Sequence, residues 1–189
     1  TARHCIDSLP DKKSIKVFFP RGGFRAAAAG GLSVFCAQSE PGCFSRADDL
    51  AALRLDTPYA LIPLAERPGT APAPAGYRPR AQGYGASNPA LSDLGILKTG
   101  PVETTGCGCD RAGLAASGHL CTRVLPGQFA VFGGSSGGPL FSDAGAGFQL
   151  LGIASRLSRH CDDGSAPQSR FVDLRLPRYA SWLDGVFCD

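Results

Sequence analysis

The chain has no methionine, one tryptophan and three histidines among its 189 residues. Without a methionine it does not begin at an initiator, so it is read as a fragment or a processed chain, and no signal peptide opens it. It also lacks an uninterrupted apolar run of about 18 residues, so a membrane span is not expected. Its 19 Lys and Arg against 16 Asp and Glu leave a formal charge of +3, spread along the sequence with no basic run interleaved with aromatics. That distribution points away from nucleic acid as a partner. Cys107-Gly108-Cys109 resembles half of a metal clip, but no second pair with ligand spacing follows, so no metal is expected.

What is present is a globular composition. With 43% hydrophobic and 19% charged residues the chain can bury a core, either as one large β-domain or as two small barrels. The eight cysteines favour an oxidising compartment, which makes a secreted or periplasmic protein with disulfides the expectation. Short apolar or alternating segments at 14–19, 32–36, 59–64, 96–105, 128–132, 149–154 and 170–174 are separated by Gly, Pro and Asp turns and predict strands. Helix is scarce before the C-terminus. Ala26 to Ala29 with Gly30-Gly31 reads as a loop or a strand edge. Between 67 and 80, Pro68, Pro72, Pro74 and Pro79 exclude a central strand or a helix. This segment predicts a crossover, with one domain over 1–66 and another over 81–189.

The segment richest in chemical meaning is Gly133-Gly134-Ser135-Ser136-Gly137-Gly138-Pro139-Leu140. A lone Gly/Ser cluster is most often a solvated turn. Here largely apolar segments flank it on both sides, so the turn interrupts buried structure. A serine hydroxyl becomes a useful nucleophile only beside an imidazole base that a carboxylate orients, with backbone N–H groups converging on the developing oxyanion. All the parts can be named. Thr1-Ala2-Arg3-His4-Cys5 supplies the imidazole, Asp48-Asp49-Leu50-Ala51-Ala52-Leu53 the carboxylate, and the glycine-rich turn the serine. His119 and His160 lack a motif and are expected to be structural or exposed.

These motifs resemble those of the trypsin/chymotrypsin-like serine proteases, in the family's order of His, Asp, Ser. TARHC resembles TAAHC, DDLAAL resembles D-I-A-L-L, and GGSSGGPL resembles GDSGGPL. Gln82-Gly83-Tyr84-Gly85 resembles the strand that opens the second barrel, Leu151-Gly152-Ile153-Ala154-Ser155 the G-I-x-S strand that pairs with substrate, and Tyr179-Ala180-Ser181-Trp182-Leu183 the C-terminal helix. The resemblance implies an all-β fold of two packed six-stranded antiparallel Greek-key barrels, the first incomplete, with a short C-terminal helix. It implies His4 as general base, Asp49 as its carboxylate, Ser136 as nucleophile, and the amides of Gly134 and Ser136 as the oxyanion hole. Read alone, Asp49 could be a helix-capping or surface carboxylate, and so could Asp48 beside it.

Three departures matter. The family places strands before the histidine motif, so the first barrel is expected to be partial and His4 to lie at a frayed terminus. Ser135 stands where animal relatives carry an aspartate that binds a newly freed N-terminus, so activation of that kind is not expected. Six residues before the nucleophile lies Ala130, which by resemblance is the base of the substrate pocket; a lysine or arginine there would be left unpaired. Asp162, Asp163 and Asp173 are the acids that could reach in from the opposite wall. With Ser155 and Leu157 completing the pocket, a small or medium apolar side chain before the scissile bond is the expected preference.

By the same resemblance, Cys107 or Cys109 is expected to pair with Cys121, Cys36 and Cys43 to close a short loop, Cys5 to be left free or mispaired, and the bridge near Cys161 to be absent or rewired because Phe132 stands at its partner's place. The implied activity is peptide-bond hydrolysis through an acyl-enzyme, with no cofactor, a protein or peptide as substrate and a monomer as the working form. The competing readings are a catalytically inactive protease-like binding protein and an esterase on the same fold.

Overall fold

The computed structural model describes residues 1–7, 9, 15–19, 23–35, 48–58, 74–86, 92–107, 118–125, 133–142, 148–158 and 168–187, giving the backbone alone over 24–30. The sequence-predicted strands at 59–64 and 128–132, most of the Pro-rich segment, Ala130, Cys36, Cys43, Cys109, Phe132, His160, Cys161, Asp162 and Asp163 lie outside them.

Two antiparallel sheets and two helices make up the described chain. The first sheet has the order β1 (Lys16–Phe19), β2 (Gly23–Val34), β3 (Ala51–Leu55). The segment Ala26–Gly31, expected to be a loop or an edge, lies inside β2; the β2–β3 register shifts between Ala27 and Leu32, so β2 crosses the irregularity without ending. Small side chains let a long strand bend, which is how a run of alanine and glycine serves as sheet here.

The second sheet closes on itself. Strands β4 (Arg80–Gly83), β5 (Lys98–Thr105), β6 (His119–Val124), β7 (Pro139–Ser142), β8 (Gln149–Ser158) and β9 (Gln168–Asp173) form an antiparallel barrel in the order β4-β5-β6-β9-β8-β7. Its interior is an apolar cluster drawn from all six strands: Ala81, Val102, Leu120, Leu140, Leu151, Ala154 and Phe171 are all buried. The bridge Cys107–Cys121 ties the end of β5 to β6, one of the two pairings the resemblance implies.

A second cluster joins the barrel's outer face to the N-terminal lobe. Ile153 and Val172 from the barrel pack with Ala2, Phe35 and Leu50, and with Tyr179 of α2 (Pro177–Phe187). Pro177 sits at the first helical position, where its fixed φ and missing N–H cost nothing. The phenyl ring of Phe35 meets Tyr179 edge-on at 4.8 Å and Trp182 at 5.6 Å.

The start of the chain is not frayed, contrary to expectation. Thr1 donates to Ala51 O at 2.9 Å and Ala51 N returns the bond to Thr1 O at 3.0 Å. Ala2 is fully buried and the next residues form a single helical turn, α1 (Arg3–Asp7). Local sequence gave no signal for that turn. Tertiary packing of Ala2 and Ile6 holds it, together with the Arg3–Asp7 ion pair at 2.9 Å.

Candidate active site

The carboxylate question is settled by what each aspartate touches. Asp49 lies just before β3, 5% exposed, and receives three hydrogen bonds. Its Oδ1 accepts the His4 backbone N–H at 2.8 Å, its Oδ2 stands 2.6 Å from His4 Nδ1, and the same Oδ2 accepts the Ser155 hydroxyl at 2.6 Å. Asp48 faces the other way. Its Oδ1 accepts the Tyr179 hydroxyl at 2.5 Å and lies 3.3 Å from an Arg178 guanidinium nitrogen, anchoring α2.

Burial by itself raises the pKa of the Asp49 carboxyl. The bonds from Ser155 and from the amide and ring of His4, with the attraction of the imidazole's charge, outweigh it and hold the group below its ordinary value. Asp49 is therefore a carboxylate at neutral pH. A carboxylate on Nδ1 favours the tautomer that carries its proton there, which leaves Nε2 as the basic nitrogen. The His4 side chain is half-exposed, with Cys5 Sγ 3.7 Å from Nε2. Cys5 carries a thiol whose pKa burial and the nearby Asp49 push up, so it stays protonated beside the imidazole.

Ser155 owes its contact to a bulge. On β8, Ala154 pairs with Phe171 and Arg156 with Arg170, so Ser155 is the extra residue on its strand. An extra residue re-aims its side chain out of the alternation, and here it delivers the hydroxyl to Asp49 across the two lobes. Sequence reasoning placed Ser155 in the substrate pocket and missed this bond. A hydroxyl in an otherwise apolar strand needs a buried partner, which is the signal that could have found it.

Ser136 is exposed in the turn between Gly133 and β7. Gly134 and Gly137 have φ of +90° and +80°, the left-handed region that glycine alone adopts without strain. Gly137 is also the point of close approach: a Cβ there would lie 2.4 Å from Thr1 Oγ1, so its bare backbone lets the serine turn press against the segment carrying His4. Gly137 N donates to Ala154 O at 2.8 Å and Ala154 N to Gly138 O at 2.8 Å, fixing the turn to β8 one residue from Ser155. The structure thus joins His4 and Ser155 through Asp49 and ties the turn that carries Ser136 to Ala154, with no hydrogen bond between Ser136 and His4. Such a bond is often long in an unliganded site and tightens when substrate arrives.

A cavity of about 340 Å³ opens beside the turn, lined by Ser136, Gly134 and Thr1 on one side and Gln82, Tyr84 and Leu97 on the other. Leu157, half-buried, pairs with Ser169 on β9. Asp173 gives both carboxylate oxygens to Arg175 at 2.7 Å each, so its charge is already matched. His119, on β6, has burial as the first cause of a lowered pKa, with Arg170 and Arg156 adding to it, and is neutral at pH 7. Among the described residues no three His, Cys, Asp or Glu side chains gather to hold a metal ion.

A closed antiparallel barrel packed on a second sheet, with an imidazole–carboxylate pair and a glycine-bounded serine at their junction, defines the chymotrypsin-like class. The chain belongs to the trypsin family, which it matches over residues 1–183. Among solved structures, one mutant of human heparin binding protein is similar at a TM-score of 0.71 with 21% identity, over 100% of this chain and 81% of that one. A second mutant of the same protein gives 0.64, also at 21% identity, over 90% and 71%. At such identity the likeness is one of fold. No curated protein sequence matches the chain.

Proposed function

We propose that the chain is a serine endopeptidase in which His4, Asp49 and Ser136 act as a triad. The observation that carries this reading is the Asp49 carboxylate bonded to His4 Nδ1 at 2.6 Å, and the close approach of Gly137, next to Ser136, to Thr1 supports it. Ser136 Oγ attacks the carbonyl carbon as its proton passes to His4 Nε2, and Asp49 stabilises the imidazolium. The amides of Gly134 and Ser136 hold the oxyanion. The C–N bond then breaks, the leaving amine takes the proton from Nε2, and water repeats the sequence on the acyl-enzyme.

Ala130 and Leu157 support a small or medium apolar side chain before the scissile bond, since neither residue supplies a carboxylate to a buried cation. The disulfide Cys107–Cys121 fits a secreted or periplasmic protein. Neither of the described helices is long and apolar enough to cross a membrane. The test is labelling by a fluorophosphonate probe beside Ser136→Ala and His4→Ala. Labelling that disappears in both variants is the expected result. Folded, disulfide-formed protein that does not label overturns the enzyme reading in favour of a protease-like binding protein.

A further inference from the structure

Ser135 is 2% exposed, and its hydroxyl has no hydrogen-bond partner among the described residues. A buried hydroxyl without a partner gains nothing from its polarity; what holds it must be shape. Opposite it stand two glycines at the end of β4. A Cβ on Gly85 would lie 2.1 Å from Ser135 Oγ and 2.5 Å from Ser135 N, and one on Gly83 would lie 3.0 Å from Oγ and 3.1 Å from Cβ. The recess left by these two glycines is filled by the Ser135 side chain.

The backbone around Ser135 is tied to the segment that follows β4 and across its own turn. Gly133 O accepts from Ala86 N at 3.1 Å, and Ser135 O accepts from Gly138 N at 2.9 Å. Between these ties, Ser135 is the residue that joins Gly134 to Ser136. Any displacement of its Cα moves both amides that the proposed function places at the oxyanion.

We propose that Ser135 is a positioning residue, a neutral steric latch seated on Gly83 and Gly85 that sets the Gly134 and Ser136 amides without an ion pair. The inference rests on the reading of Ser136 as nucleophile. Its consequence is regulatory: a latch made by shape is complete once the chain folds, so the site needs no ammonium partner released by cleavage.

A double-mutant cycle tests it. Gly83→Ala crowds the recess and Ser135→Gly empties it, so each alone is expected to slow fluorophosphonate labelling of Ser136 by at least about tenfold, a part of the 10²–10³ that loss of an oxyanion donor costs. The double variant, in which the new methyl occupies space the serine vacated, is expected to recover most of the rate. Urea midpoints measured in parallel separate the roles: a merely structural latch lowers the midpoint and leaves the labelling rate of the folded fraction unchanged. Independent, additive slowing in the double variant overturns the latch. If the parent protein fails to label at all, the enzyme reading falls. The same cycle is then read in hydrogen exchange of the 134–138 amides, where coupled loss and recovery of protection upholds the latch and uncoupled exchange overturns it.

Discussion

Asp48 and Asp49 are chemically identical neighbours, each 5% exposed, and they do unrelated things. Successive side chains on an extended chain point to opposite faces, so one is sent to His4 and Ser155 and the other to Tyr179. The motif, with Asp49 as the partner of His4, was legible through its resemblance to a known family; that Asp48 turns instead to Tyr179 was not, because that partner lies 131 positions away. Asp49→Asn keeps the shape and inverts the tautomer it favours, so labelling is expected to fall by about 10⁴. The pH dependence of stability has a sign fixed by the same contacts. The Asp49 pKa is lower folded than unfolded, so its contribution is complete above about 3.9, the ordinary carboxylate value, and is lost as pH falls through the folded value. His119 is lowered too, which places its loss at higher pH, beginning as pH falls through about 6.5. Urea midpoints followed from pH 7 to pH 3 are expected to show both declines in the parent and, in Asp49→Asn, the His119 decline with a smaller acid-side one, because the Glu103 carboxyl, lowered by its bond from Arg123, also titrates there.

At the scale of elements, α2 is more than a terminal cover. Its Tyr179 hydroxyl donates to Asp48, and Arg178 lies over the same ring at 4.6 Å while also reaching that hydroxyl at 2.9 Å. Burial is the first cause that pushes the Tyr179 phenol up, and its bond to Asp48 the second, so it remains a donor at every pH of interest. Tyr179→Phe removes one bond to a buried carboxylate and is expected to lower stability by about 1–3 kcal/mol, seen as a lower urea midpoint. The tryptophan motif was enough to locate this helix in the sequence. The strand through Ala26–Gly31 was not legible, because alanine and glycine have no side-chain pattern from which a period can be read, and the α1 turn was not, because its 5 residues are too few to show a helical period. The β8 bulge escaped for a related reason: the extra residue exists only relative to a partner strand.

Over the whole molecule, the site is a junction. His4 and Asp49 come from the N-terminal lobe, Ser136 and Ser155 from the closed barrel, and the apolar cluster around Phe35 holds the two together. Phe35→Ala leaves every candidate catalytic group in place and removes the ring that meets Tyr179 and Trp182. It is expected to cost about 3–5 kcal/mol and to reduce labelling even in the fraction that stays folded, because the Asp49–Ser155 bond crosses the loosened seam. Labelling rates measured at low urea, normalised to the folded fraction, check this.

The sequence by itself determined the chemistry available and its order along the chain: a histidine, a carboxylate and a glycine-bounded serine, among short apolar segments that read as strands. Those properties are local, set by residue type, spacing and the conformational freedom of glycine. Only the tertiary structure decided that Asp48 meets Tyr179, that Ser155 meets Asp49 across 106 positions, and that Ser135 seats on Gly83 and Gly85. Such contacts join residues remote in sequence, and they exist only once strand register, a bulge and the packing of two lobes have fixed where each side chain points.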